Sequence, residues 1–229
     1  MTLDNSNKIP KGSFFWLILA VVILENYGNN FTYDQPQLLS DQLIISMNVT
    51  QIQLNLFYSI MAITNIFLAP SLPFLIEYLG LEVVNFCAIA SIFFGSTITT
   101  IGMGYSSYFV LLVGRFFGGF GMELGYISAF TIMERHFKSN NLTIVNSLVA
   151  ASILSASAVS NFSTIRIFKK TRTIFIPSFL GSIICFVCTL LALSYYFIVY
   201  YFERAEALAL EKESKLAEDS ELCKKYLKN

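Results

Sequence analysis

The stretch GRFFGGFGMELGY, Gly114 to Tyr126, lies inside an apolar run long enough to cross a membrane, yet it carries Arg115 and Glu123. Each costs about 2.5–3.5 kcal/mol at the centre of an isolated spanning helix. A helix that keeps both must turn them into protein or into a wet cavity. Gly114, Gly118, Gly121 and Gly125 give the same helix small surfaces where another backbone can come close.

The surrounding sequence agrees with a membrane setting. The chain has 229 residues, of which 55% are hydrophobic and 13% charged, against about 25% charged in a soluble domain. This is the composition of a multi-pass, all-α integral membrane protein. The formal net charge is zero, and nothing points to a nucleic-acid partner. A spanning helix needs about 20 mostly apolar residues. Six segments qualify, at roughly 14–33, 54–76, 83–104, 108–133, 142–162 and 174–201. Their short connections predict one six-helix transmembrane bundle over residues 1–202, followed by a charged, cytosolic helical tail over 203–229. The opening run FFWLILAVVIL resembles a signal-peptide core. No small-x-small cleavage site follows it, so it reads as a spanning helix with a polar second half.

Basic residues near the spans set orientation. Lys8, Lys11, Arg135, Lys138 and the tail favour a cytosolic N-terminus; Arg166, Lys169, Lys170 and Arg172 pull the other way. Cys87, Cys185 and Cys188 sit in apolar segments and Cys223 in the tail. A long apolar chain is not a disulfide framework, and these read as packing residues.

Depth organises the charges. Glu25 lies eleven residues from Phe14, and Glu123 eleven from Glu134. At 1.5 Å per residue both are about 16 Å deep, near the midplane of a roughly 30 Å core. Asp34 and Arg115 fall together near the outer boundary, which predicts a structural ion pair. Two carboxylates at one depth in low dielectric tend to hold at least one proton. Such a site binds an ammonium group or carries a proton; the alternative is that each is protonated and hydrogen-bonded between helices. Glu25, Asn29 and Thr32 share one helical face, a polar stripe suited to a cavity wall. Glu25, Asn29, Tyr33, Glu123 and Tyr126 are thus the candidate solute-binding residues.

These motifs carry a resemblance. LLVGRFFGGFGM resembles the fourth-helix motif of the major facilitator superfamily, an arginine followed by glycines four and six residues later; here these are Arg115, Gly119 and Gly121. PFLIEYLGLEVV looks like a degraded version of the family's loop after helix two. Glu77 stands at its aspartate and Gly80 at its later glycine, while Pro73 replaces the first glycine and the basic residues are missing. NYGNNFTYDQP, with GRFFGGFGMELGY, is similar to the lysosomal dipeptide-transporter branch through Asn26, Gly28, Phe31, Tyr33, Asp34, Pro36 and Glu123. The resemblance implies half of a major facilitator fold, a 3+3 inverted repeat of six helices. It implies that Glu123 binds the amino group of a peptide, and that the site lies in a multi-pass protein of the lysosome or another endomembrane. The branch also uses a helix-five arginine for the peptide carboxylate; here Leu154 stands near that place.

Two functions remain open at this point. One is a carrier that moves a small amine-bearing solute, such as a dipeptide, by alternating access, together with a second six-helix half from its own chain or another. The other is a non-transporting half-carrier that acts as an assembly subunit. Membrane lipids are partners in both. An enzyme is not expected: the sole histidine, His136, lies in a basic loop, and no catalytic pair, metal spacing or cofactor motif appears.

Overall fold

The computed structural model describes the backbone of residues 11–137 and 139–226, and the side chains of 16–68, 70–137 and 141–201. Among these residues the chain is helical throughout, in the order α1 (Lys11–Tyr33), α2 (Gln35–Leu38), α3 (Ser40–Met47), α4 (Gln51–Leu79), α5 (Leu81–Gly104), α6 (Tyr108–His136), α7 (Ser139–Thr171) and α8 (Phe175–Tyr226). Among the described residues five stretches are long and apolar enough to cross a membrane: Gln51–Leu68, Leu81–Gly104, Tyr108–His136, Asn141–Thr171 and Phe175–Tyr201. Helix α1 packs against α8 and α7 and carries Glu25, Asn26, Asn29 and Asn30 in its second half.

Each end of the bundle has its own apolar cluster. At the Tyr33 end, Leu39, Leu43, Leu54, Phe57, Met103 and Leu111 pack together. Leu39 and Leu43 come from α2–α3, so these short helices lie across the helix ends as a cover. The sequence reading left this segment as a loop. Its Leu39/Leu43 spacing of one turn was the available signal. Gln35 secures the cover by donating from Nε2 to the Pro177 carbonyl at 3.0 Å. At the opposite end, Ile18, Val22, Ile132, Met133, Val145 and Tyr195 form the larger cluster, beside an Arg135–Glu82 ion pair of 2.5 Å.

Helix boundaries follow local chemistry. Thr50 and Gln53 form a capping box that starts α4 three residues earlier than hydropathy suggests. Pro70 and Pro73 lie inside the same helix without ending it. Gly80 separates α4 from α5 with φ 87°, a backbone region open to glycine. Helix α7 runs nine residues past its predicted end, to Thr171. Arg166, Lys169 and Lys170 are therefore on a helix and not in a loop, and basic side chains suit the negative end of a helix dipole. Helix α8 continues without a break from its membrane span to Tyr226. The side chains of residues 203–229, the expected cytosolic tail, lie outside the described residues.

The α5–α6 contact is the closest in the bundle and depends on absent side chains. A methyl group at Gly95 would lie 2.5 Å from the Gly118 nitrogen, and one at Gly114 would lie 2.6 Å from the Thr99 nitrogen. Both obstacles are backbone and cannot swing aside. Gly118 itself is different, since a methyl there meets only the Met61 terminal carbon, at 4.0 Å. Gly95→Ala is therefore expected to destabilise the protein by about 1–3 kcal/mol. Gly118→Ala is expected to be neutral or stabilising by up to about 1 kcal/mol, because alanine favours helix. Unfolding midpoints of the two variants in detergent check the contrast; equal losses would refute this account of the contact.

Candidate functional site

The midplane carboxylates are placed differently from one another. Glu25 is fully buried. Its Oε1 accepts from Asn85 Nδ2 at 2.8 Å, and Asn85 Oδ1 accepts from Ser128 Oγ at 2.7 Å. This chain of bonds ties α1 to α5 and α6. Glu25 Oε2 has no partner. The structure thus puts Glu25 in a helix interface, where the sequence reading expected it on a cavity wall beside Glu123. The reason is azimuth: the side chain turns toward α5, and an amide sixty positions away in sequence meets it. Glu123 is half-buried and makes no hydrogen bond or ion pair with another described residue.

Tyr126, one turn from Glu123, is also half-buried. Its hydroxyl donates to Asn30 Oδ1 on α1. Asn30 Nδ2 donates to the Asn26 carbonyl at 3.1 Å, and Asn26 Nδ2 to the Val22 carbonyl at 3.0 Å. Asn26 and Asn30 therefore form an amide ladder one turn apart that was not among the expected site residues, though the i, i+4 spacing was visible. Tyr33 is half-buried and stacks edge-on against Tyr58, with ring centroids 5.7 Å apart. Asn29 is buried, and its Nδ2 lacks a partner.

Arg115 is where the structure corrects the expected ion pair. Its guanidinium donates from Nη1 to the Tyr33 carbonyl at 3.1 Å and from Nη2 to the Thr32 carbonyl at 3.5 Å. Among the described residues the ion pair within 4.0 Å is Arg135–Glu82, so Asp34 and Arg115 do not form one. The last carbonyls of α1 have no helical partner and carry the negative end of its dipole. They take the cation that depth alone had assigned to Asp34. The Arg115 carbon also sits 5.7 Å from the centre of the Tyr58 ring.

The α1–α6 seam is thus joined by polar pairs, Tyr126–Asn30 and Arg115–Tyr33, while α1 packs chiefly on α8 and α7, and α6 on α5 and α4. Glu123 and Tyr126 border this seam and are accessible. Cys185 and Cys188 serve packing, as expected: both are buried, and their thiols donate to the Gly28 and Leu24 carbonyls of α1 at 3.4 and 3.2 Å. No group of acidic, histidine or cysteine side chains among the described residues has the arrangement of a metal site. Asn85→Ala would leave Glu25 without its hydrogen bond, at about 1–3 kcal/mol for a buried group left unpaired, while Ser128 keeps its bond to the Gly125 carbonyl at 3.1 Å. Glu25→Gln keeps an acceptor for Asn85 and is expected to cost less. Thermal unfolding of the two variants tests this order, and a more stable Asn85→Ala would contradict it.

Similarity to known proteins agrees with this architecture. No family model matches the chain. Over 212 residues it is 23% identical to the lysosomal dipeptide transporter MFSD1 of Pongo abelii and to that of Homo sapiens, covering 88% of this chain. It spans 45% of the length of each of those relatives. Its fold matches a crystal structure of a bacterial homologue of the iron transporter ferroportin in an inward-facing state, with a TM-score of 0.67 and 16% identity. That match covers 78% of this chain and 45% of the other. The chain is a multi-pass membrane protein that resembles about half of these transporters in sequence and in fold.

Proposed function

We propose that the chain is half of a carrier for a small amine-bearing solute, dipeptides being the first class to test, and that Glu123 takes the amine. One observation carries this reading. Glu123 is a carboxylate at mid-membrane depth, accessible and without a partner among the described residues. In hydrocarbon such a group must be protonated, hydrated or paired with a cation. An ammonium group supplies the charge and up to three donors. Tyr126 adds a hydroxyl on the same side, and Asn30 fixes it against α1. Tyr33 lies toward the Tyr33–Tyr58 end of the same seam.

Alternating access needs two bundles rocking about a shared site. The proposal therefore includes a second six-helix half, on its own chain or another. The relatives are named as lysosomal dipeptide transporters, which favours a carrier over an enzyme and an endomembrane location; a cytosolic tail over 203–229 is part of the same proposal. A second reading, a non-transporting assembly subunit, is favoured by α7. Leu154, where the resemblance would place an arginine for the peptide carboxylate, is 73% exposed and apolar.

Uptake into proteoliposomes decides between them. With its second half present, the protein is expected to accumulate dipeptides or simple amines. Glu123→Gln should lower that uptake at least about tenfold, the equivalent of about 1.4 kcal/mol, while membrane insertion is unchanged. Full uptake by the variant would remove Glu123 from the site, and no uptake by the wild type would favour the subunit.

A further inference from the structure

A cavity of about 30 Å³ lies under the end of α1, lined by α1, α2, α4, α5, α6 and α8. Asn29, Tyr33, Met61, Thr99 and Arg115 are among its walls. Arg115 is 5% exposed and Asn29 is 4% exposed. The two terminal nitrogens of Arg115 are committed to neutral acceptors, the Tyr33 and Thr32 carbonyls and the Met61 sulfur. Its Nε–H has no partner, and neither has the Asn29 Nδ2. No described carboxylate lies within 4.0 Å of the guanidinium.

These facts combine into one electrostatic problem. Arginine stays charged in proteins. A buried charge without a counter-charge is costly, and each buried donor left unpaired adds to the cost. Carbonyls relieve part of it through their dipoles but bring no net charge. The cavity is bordered by both residues whose donors are unused. We propose that it is a binding site for a small monovalent anion of chloride size, held by Arg115 Nε and Asn29 Nδ2. A volume of this order admits one or two water-sized bodies, so chloride and bromide fit and sulfate and gluconate do not. Water satisfies the same donors but adds no charge, and the Asp34 carboxylate acts on Arg115 only from beyond 4.0 Å. Asn29 belongs to α1 and Arg115 to α6, so a bound anion ties the two helices together at the Tyr33 end. The site is separate from Glu123, and neither proposal depends on the other.

The test uses the purified chain in neutral phosphatidylcholine nanodiscs, with gluconate exchanged for chloride at constant ionic strength. The unfolding midpoint should rise saturably with chloride and equally with bromide, and should not respond to sulfate. Asn29→Ala should raise the half-saturating chloride concentration about two- to tenfold, the loss of one hydrogen bond. Arg115→Gln should abolish the response. Because Arg115 also holds the end of α1, Asn29→Ala carries the test if Arg115→Gln does not fold, since the Asn29 amide nitrogen bonds nothing in the protein. A wild type indifferent to the exchange means the cavity holds water only and overturns the proposal. The same chloride dependence in wild type and Asn29→Ala means a non-specific salt effect and overturns it equally. None of these readouts involves uptake or Glu123.

Discussion

The polar side chains of α1 have to find protein, and the bundle is arranged around that need. Glu25, Asn26, Asn29 and Asn30 are all 4% exposed or less. Unpaired polar groups in hydrocarbon are expensive, so α1 cannot face lipid on any broad front. Neighbouring helices meet its polar atoms with neutral groups: Asn85 from α5, Tyr126 from α6, Ser160 from α7 on the Phe31 carbonyl at 2.5 Å, and two thiols from α8. The outer helices can then be apolar, and large side chains such as Ile66, Phe67 and Phe109 are left exposed toward lipid. The polar face of α1 is inside because the other helices shield it, while Leu17 and Leu24 of the same helix stay exposed.

The contacts of α6 differ on its two sides. Toward α5 the backbones nearly touch through Gly95 and Gly114, and dispersion contacts accumulate without side-chain entropy. Toward α1 a few directional bonds join the helices, with Arg115 at one end and Tyr126 nearer the middle. Breaking a packed backbone contact loses many small terms at once, whereas two polar groups exchange partners with water or a solute at little net cost. The α1–α6 seam is therefore the side of α6 on which the proposed site is placed.

Much of this was legible because it is local. Helix type follows from runs of apolar residues, and the glycine spacing on α6 marked a close contact before any partner was known. Depth arithmetic placed Arg115 at the height of the α1 terminus. It chose the wrong partner because backbone carbonyls are the same in every sequence, while Asp34 is visible as a letter. It put Glu25 and Glu123 at one depth but said nothing about direction around the axis, which Asn85 decides for Glu25. The α2–α3 cover was missed for its brevity. The length of α7 was missed because its last turns carry the positive charges that usually mark a loop.

Helix α4 holds a mechanical consequence. Pro70 and Pro73 have no N–H, so the carbonyls four residues earlier, at positions 66 and 69, lose their usual helical donor. Two missing rungs one turn apart make a soft joint in an otherwise continuous rod. Above it, α4 is pressed against α6, where a methyl group at Gly119 would come within 2.8 Å of the Met61 Cα. Below it, Leu72 still reaches the cluster with Leu68, Val84 and Leu124. Leu68 and Leu72, on either side of Pro70, both pack on Leu124, so both arms of the joint rest on α6.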